Sequence, residues 1–306
     1  MKASYSSEVK EYLCERTAVD TGFSKIGKDK KISKCCIEAF LSGALLFSKK
    51  YVSDRASLVV ESAPFSELLT YLFINVMHFS ASVGQKLYRG RELYEVTLGG
   101  AEEFFSRLKA STDLSDFMSC DDCAFYFLRG VFLSCGTVTD PDVSYHVEFI
   151  TPSEEHANSL FSFLLVEGKE ARIIKRRSNH IVYIKGSERI SDFFTEIGAG
   201  KYALDVIEKS IEKETRNNIN RSCNCENANT KKTVSAVIEF RMAVEKIKEA
   251  GLWNTLGDQL HKAAELRLAY PEASLSELCL LNETGTLSRS GLNHRLKKII
   301  EIAKDL

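Results

Sequence analysis

The residues best suited to chemistry lie near the C-terminus: Ser288, Arg289, Ser290, Asn293, His294, Arg295, Lys297 and Lys298, with no acid between Glu283 and Glu301. Guanidinium and amide groups make paired hydrogen bonds with base edges, whereas lysine ammonium groups meet phosphates. This set suits the reading of duplex DNA. Two weaker stretches have the same character. Residues 169–185 hold six Lys or Arg against one Glu, which makes Arg172, Lys175 and Arg177 secondary candidates for DNA contact. Arg216 and Arg221, set among six asparagines over 216–230, are two more. Helix ends and sheet edges also collect basic residues for structural reasons, so the elements that hold these side chains decide the reading.

Cysteine is the other reactive side chain. Nine cysteines, an odd number spread along the chain, read as thiols in a reducing compartment. A zinc site would have to join Cys120-Asp-Asp-Cys123 to Cys35-Cys36 or to Cys223-Asn-Cys225, and neither is a matched second Cys-x-x-Cys pair. Cys36 and Cys123 also fall at equivalent places in two apolar helices, where cysteine packs as a small hydrophobe. The expectation is no metal and no cofactor.

The C-terminal residues are positioned by short helices. Ser274-Leu-Ser-Glu277 is a capping box opening a helix to Leu281, residues 282–287 read as a turn, and Ser288 caps a last helix to about residue 304. Leu292, Leu296, Ile299 and Ala303 recur at helical spacing and form its core face. With helices over 234–250 and 258–269 before it, the region 231–306 is an all-α domain, and 274–304 is a helix-turn-helix. Upstream, 201–220 has helical spacing and runs into the asparagines, whose side chains favour caps and turns. Residues 201–230 are therefore expected to be a helical and polar linker.

The preceding two thirds contain a duplication. Placing Gly43 on Gly130, an offset of 87, also superimposes Cys36 on Cys123, Phe40 on Phe127, Leu41 on Leu128 and Ser57 on Ser144. The offset drifts by one residue at Pro64 and Pro152, and by two at Phe104-Phe105 and Phe193-Phe194. Each copy, 34–110 and 122–199, reads as αββαββα, with helices over 34–47 and 122–133, 66–77 and 153–165, and 101–109 and 187–197. Strand pairs are expected over 82–87 with 93–98 and 171–175 with 181–185. The fold class is thus α/β (α+β): a duplicated domain over 34–200, preceded by an N-terminal helix and lead-in over 1–33.

That string resembles the LAGLIDADG homing-endonuclease fold, with Gly43 and Gly130 at the glycine of its helical motif. The resemblance implies close packing of the two motif helices and a β-saddle along DNA. It also places the metal-binding catalytic acids of that family at Ser48 and Cys135, and neither is a carboxylate. A divalent metal that activates water wants hard oxygen ligands, so no catalytic residue is expected. The segments Arg216-Asn-Asn, Cys225-Glu-Asn-Ala-Asn229 and Ser288-Arg-Ser-Gly-Leu-Asn-His-Arg-Leu-Lys-Lys-Ile299, with Phe127-Leu-Arg-Gly-Val-Phe-Leu133 and Ser6-Ser-Glu-Val-Lys-Glu11, are similar to the WhiA family. Lys49-Lys50 departs from its pattern, standing where glycine is usual. The resemblance implies a sequence-specific transcriptional regulator serving cell division, chromosome segregation or sporulation in Gram-positive bacteria. Its partner would be double-stranded DNA, beside other transcription or division proteins.

Composition agrees with that class. The net charge of −1 means that DNA affinity must come from local patches. The first ten residues lack an apolar segment, and no apolar run is long enough for a bilayer. A cytoplasmic, nucleoid-associated protein is expected. Two alternatives stand beside this reading: a LAGLIDADG-type nuclease with displaced acids, drawing on Asp140, Asp142 and Asp54, or an interaction scaffold whose tail alone touches DNA.

Overall fold

The computed structural model describes residues 4–23, 32–48, 51–52, 57–88, 90–111, 113–281 and 288–306; for 51–52 and 91 it describes the backbone. The chain forms two compact units, Met1–Lys213 and Glu214–Leu306. The predicted turn over 282–287, Lys49-Lys50 and Asp54 lie outside the described residues.

In the first unit, α1 (Tyr5–Asp20) precedes the repeat. Copy one is α2 (Lys34–Leu46), β1 (Tyr51–Val52), β2 (Ser57–Val60), α3 (Ala63–Asn75), β3 (Ser80–Tyr88), β4 (Arg91–Gly99) and α4 (Glu102–Ala110). Copy two is α5 (Cys123–Cys135), β5 (Gly136–Val138), β6 (His146–Thr151), α6 (Glu154–Val166), β7 (Ala171–Arg176), β8 (Asn179–Lys185) and α7 (Ser187–Glu196). Each copy builds one antiparallel sheet, in the orders β1-β2-β4-β3 and β5-β6-β8-β7. The identical strand order realises the αββαββα duplication.

Local chemistry explains the breaks. Ser62 and Ser153 accept hydrogen bonds from the backbone N–H groups of Phe65 and His156, capping α3 and α6, and Pro64 sits in the first turn of α3, where its missing N–H costs nothing. In the sheets, every second residue faces the core: Leu58, Val60, Val96 and Leu98 in copy one, Val147, Phe149, Val182 and Ile184 in copy two.

The centre of the unit is the contact between α2 and α5. A methyl group on Gly43 would lie 2.3 Å from the carbonyl oxygen of Phe127, and one on Gly130 would lie 2.1 Å from that of Phe40. Only glycine allows the two backbones to approach this closely. Phe40, Phe47, Phe127, Phe132, Phe149, Phe193 and Phe194 fill the surrounding core. Among them sits Arg129, 1% exposed. Its guanidinium donates to Asp20 Oδ2 at 2.7 Å, Thr17 Oγ1 at 3.1 Å and the Ile197 carbonyl at 2.7 Å, and lies against the rings of Phe125 and Tyr126.

The expected break in the asparagine-rich stretch does not occur. Helix α8 runs unbroken over Gly200–Glu249, through Arg216 and Arg221. No proline or glycine interrupts it after Gly200, and asparagine costs a helix only about half a kcal/mol per residue. Strong helix formers on both sides supply nucleation, so the polar segment propagates as an exposed helix. The boundary between the two units falls within it.

The second unit adds α9 (Asp258–Ala269), α10 (Leu275–Leu281) and α11 (Arg289–Lys304) to the end of α8. Phe240, Val244 and Ile247 of α8 pack with Ala263, Ala264, Leu278, Leu292, Leu296, Ile299 and Ala303. Among the described residues no helix is long and apolar enough to cross a membrane.

Candidate nucleic-acid interface

Both predicted caps are present. Ser274 and Glu277 satisfy each other's backbone N–H groups, at 3.2 Å and 2.7 Å. The Ser274 N–H and hydroxyl hold the Glu277 carboxyl below its ordinary range. Ser288 Oγ accepts from Gly291 N at 3.1 Å and opens α11. The buried Arg267 guanidinium donates to the Ala273 carbonyl, tying α9 to the chain entering α10.

With Leu292, Leu296, Ile299 and Ala303 buried, α11 presents its other faces outward. Arg289, Ser290, His294, Lys297 and Lys298 are exposed and Asn293 is half-buried. Arg289, Asn293 and Lys297 lie together along one side of a groove of about 700 Å³, opposite Asn229 and Lys232 of α8. The sequence places Asn229 in the linker and Lys232 at the start of the all-α domain with no DNA contact assigned to either, so the contribution of α8 is not foreseen. Arg295 leaves the group: it is half-buried and donates to Gln259 Oε1 of α9 at 3.1 Å. Its position on the helix turns it towards a neighbouring helix rather than outward. Lys298 lies 3.6 Å from Glu301, and Lys304 lies 3.6 Å from Glu239. Arg216 and Arg221 are exposed on α8.

On the second sheet, the register divides the secondary candidates. Arg172 pairs with Tyr183 and Arg176 with Asn179 on the outward face, whereas Lys175 pairs with His180, alternating to the opposite face. Arg177 sits in the hairpin turn with φ of 57°. Arg176, absent from the predicted set, therefore joins Arg172; strand alternation was the available signal. Two ion pairs offset this surface, Arg176 with Glu148 at 3.4 Å and Lys86 with Glu95 on the first sheet. Arg172 has no carboxylate partner among the described residues.

At the positions where the resemblance would put catalytic acids, Ser48 and Cys135 are both buried, and Ser48 Oγ lacks a hydrogen-bond partner among the described residues. The displaced acids are otherwise engaged: Lys209 of α8 reaches Asp140 at 3.9 Å and Asp142 at 3.2 Å. Potential metal ligands do converge elsewhere. Cys35, Cys36, Cys120 and Cys123 come together with all four sulfurs within 4.8 Å of one another. The sequence predicts packing residues in unmatched pairs; the structure gathers the four thiols into a group that could hold a metal ion. The pairing of α2 with α5 brings the starts of both helices together, which a search for a second Cys-x-x-Cys does not see.

A duplicated LAGLIDADG-like α/β domain followed by a helix-turn-helix domain is the class that this fold and basic helix define. The family model of the WhiA LAGLIDADG-like domain matches residues 124–216, and that of the WhiA C-terminal HTH domain matches 219–303. The chain belongs to the WhiA family. It is 32% identical to a "Probable cell division protein WhiA" of Clostridium botulinum over 99% of this chain and 98% of that one. Its counterpart in Clostridium acetobutylicum is 34% identical, with the same coverage. Full-length DUF199/WhiA from Thermotoga maritima has a similar fold, with a TM-score of 0.58 and 23% identity over 99% of both chains.

Proposed function

We propose that this protein is a sequence-specific regulator that binds double-stranded DNA through α11, serves cell division, chromosome segregation or sporulation, and does not cut its target. The observation that carries the reading is the outward side of α11: Arg289, Ser290, Asn293, His294 and Lys297 stand exposed or half-exposed on a capped helix whose first ten residues include no carboxylate. Docked in the major groove, Asn293 and Arg289 would meet base edges, while Ser290, Lys297 and Lys298 would meet phosphates. The names of the clostridial relatives support a role in cell division.

The test separates reader from anchor in the full-length protein. Asn293→Ala should lose about 1–3 kcal/mol of specific binding with a smaller loss on scrambled DNA. Lys297→Ala should weaken binding to every sequence and reduce the slope of log affinity against log salt by about one. Titrations against specific and scrambled duplexes at several salt concentrations measure both. If Asn293→Ala kept full preference while Arg172→Ala with Arg176→Ala abolished it, the saddle would be the reader.

Absence of cleavage follows from Ser48 and Cys135. Plasmid and genomic DNA incubated with the protein and Mg²⁺ or Mn²⁺ should stay intact; nicking that tracks with the purified chain would overturn this part of the reading.

A further inference from the structure

We infer that Cys35, Cys36, Cys120 and Cys123 bind one zinc ion as a tetrathiolate, forming a structural site that joins the two copies of the repeat. Cys35 and Cys36 belong to the first turn of α2, Cys123 is the first residue of α5, and Cys120 lies three residues before it. The sulfur of Cys120 is 3.6 Å from that of Cys35 and 3.5 Å from those of Cys36 and Cys123. Sulfurs about 2.3 Å from a tetrahedral zinc stand roughly 3.8 Å apart, so small side-chain rotations complete the shell. An iron–sulfur cluster has to fit several iron and sulfide atoms between its thiolates and needs them farther apart. A disulfide would draw one pair to about 2.05 Å and leave the other two thiols unexplained.

Polar contacts surround the sulfurs, although burial pushes the Cys36 and Cys123 thiols up. The cysteines sit at the N-terminal ends of α2 and α5, where the positive ends of the helix dipoles favour negative charge. Ser33, at the N-cap of α2, makes no side-chain capping bond; its hydroxyl instead lies 3.0 Å from the sulfurs of both Cys35 and Cys36. The backbone of Asp122 hydrogen-bonds to Cys120. Such outer contacts orient ligands and spread the charge of a tetrathiolate. Cys36 and Cys123 are buried while Cys120 is exposed, which gives the ion a path in.

Cys35 and Cys36 come from copy one, Cys123 from copy two and Cys120 from the chain just before it, so the complete shell exists only when the copies are docked. Zinc binding is then coupled to that docking. In a reducing compartment it provides the cross-link that a disulfide does not.

Full-length protein purified under reducing conditions, without chelator or added metal, should contain about one zinc per chain by elemental analysis. Cobalt added to chelator-stripped protein should give the absorption of a tetrahedral thiolate site. Cys120→Ser, whose side chain is exposed, should reduce bound zinc about tenfold while far-UV circular dichroism stays native. Cys223→Ser with Cys225→Ser should leave it unchanged. The inference is overturned if wild-type protein reconstituted with zinc keeps none through gel filtration, if iron occupies the site instead, or if Cys120→Ser retains zinc that the Cys223/Cys225 variant loses.

Discussion

Arg129→Met should lower the stability of the first unit by about 3–5 kcal/mol, the cost of breaking a buried ion pair from one side. Methionine fills much of the volume between Phe125 and Tyr126 but donates nothing. The Ile197 carbonyl and Thr17 hydroxyl then lose their donor, and Asp20, 8% exposed, keeps among the described residues the longer contact to Arg16 at 3.7 Å. Chemical denaturation followed by far-UV circular dichroism measures the loss. Trp253, the single tryptophan, belongs to the second unit, so its fluorescence should report a transition that this variant leaves in place. Replacing Asp20 with leucine in the same chain should recover part of the deficit, because an apolar pair leaves no stranded charge. A loss below about 1 kcal/mol for Arg129→Met would show that the pair is not a buried constraint.

Gly130→Ala is expected to cost about 3 kcal/mol, at the top of the range for overpacking. On helix propensity alone this substitution stabilises by about 1 kcal/mol, so the sign decides between the two effects. The added methyl would meet the backbone oxygen of Phe40 at 2.1 Å and the backbone nitrogen of Ala44 at 3.0 Å. Neither atom can rotate away; α2 and α5 must separate, and the aromatic core around them loses contact. Gly200→Ala is the control, because a methyl there meets nothing within 4 Å. It should be neutral or slightly stabilising in the same urea titration. If both variants moved the midpoint upward, the helices would not be held at the separation described.

The duplicated architecture was readable because one offset carried apolar helix, strand and aromatic pair together, and two copies with that order fold alike. The strands β1 and β5, of two and three residues, were implied by the string but too short to leave a periodic signal of their own. Helix α8 was misread at its asparagines because local preference for turns is worth only tenths of a kcal/mol per residue, less than the drive to continue a helix once started. Arg129 left a signal in plain view, a cation inside an apolar helix, which has to find a buried partner. Its partners, over 100 residues away in Thr17 and Asp20, did not. On α11 the core face and caps were legible from spacing, but the removal of Arg295 and the approach of α8 depend on how helices pack. The cysteines show the same limit from the other side: Cys36 and Cys123 were already aligned as equivalents, yet only packing makes equivalent residues neighbours.

The glycine contact between α2 and α5 also sets a schedule for synthesis. Gly43 and Gly130 are 87 residues apart. At about 5–20 residues per second, a ribosome needs roughly 4–17 s to add the second after the first. For that interval the apolar helix of copy one has been made and the surface it is shaped for has not. The nascent chain must hold Phe40, Leu41 and Ala44 without their native cover, the condition in which chaperones bind and aggregation competes with folding.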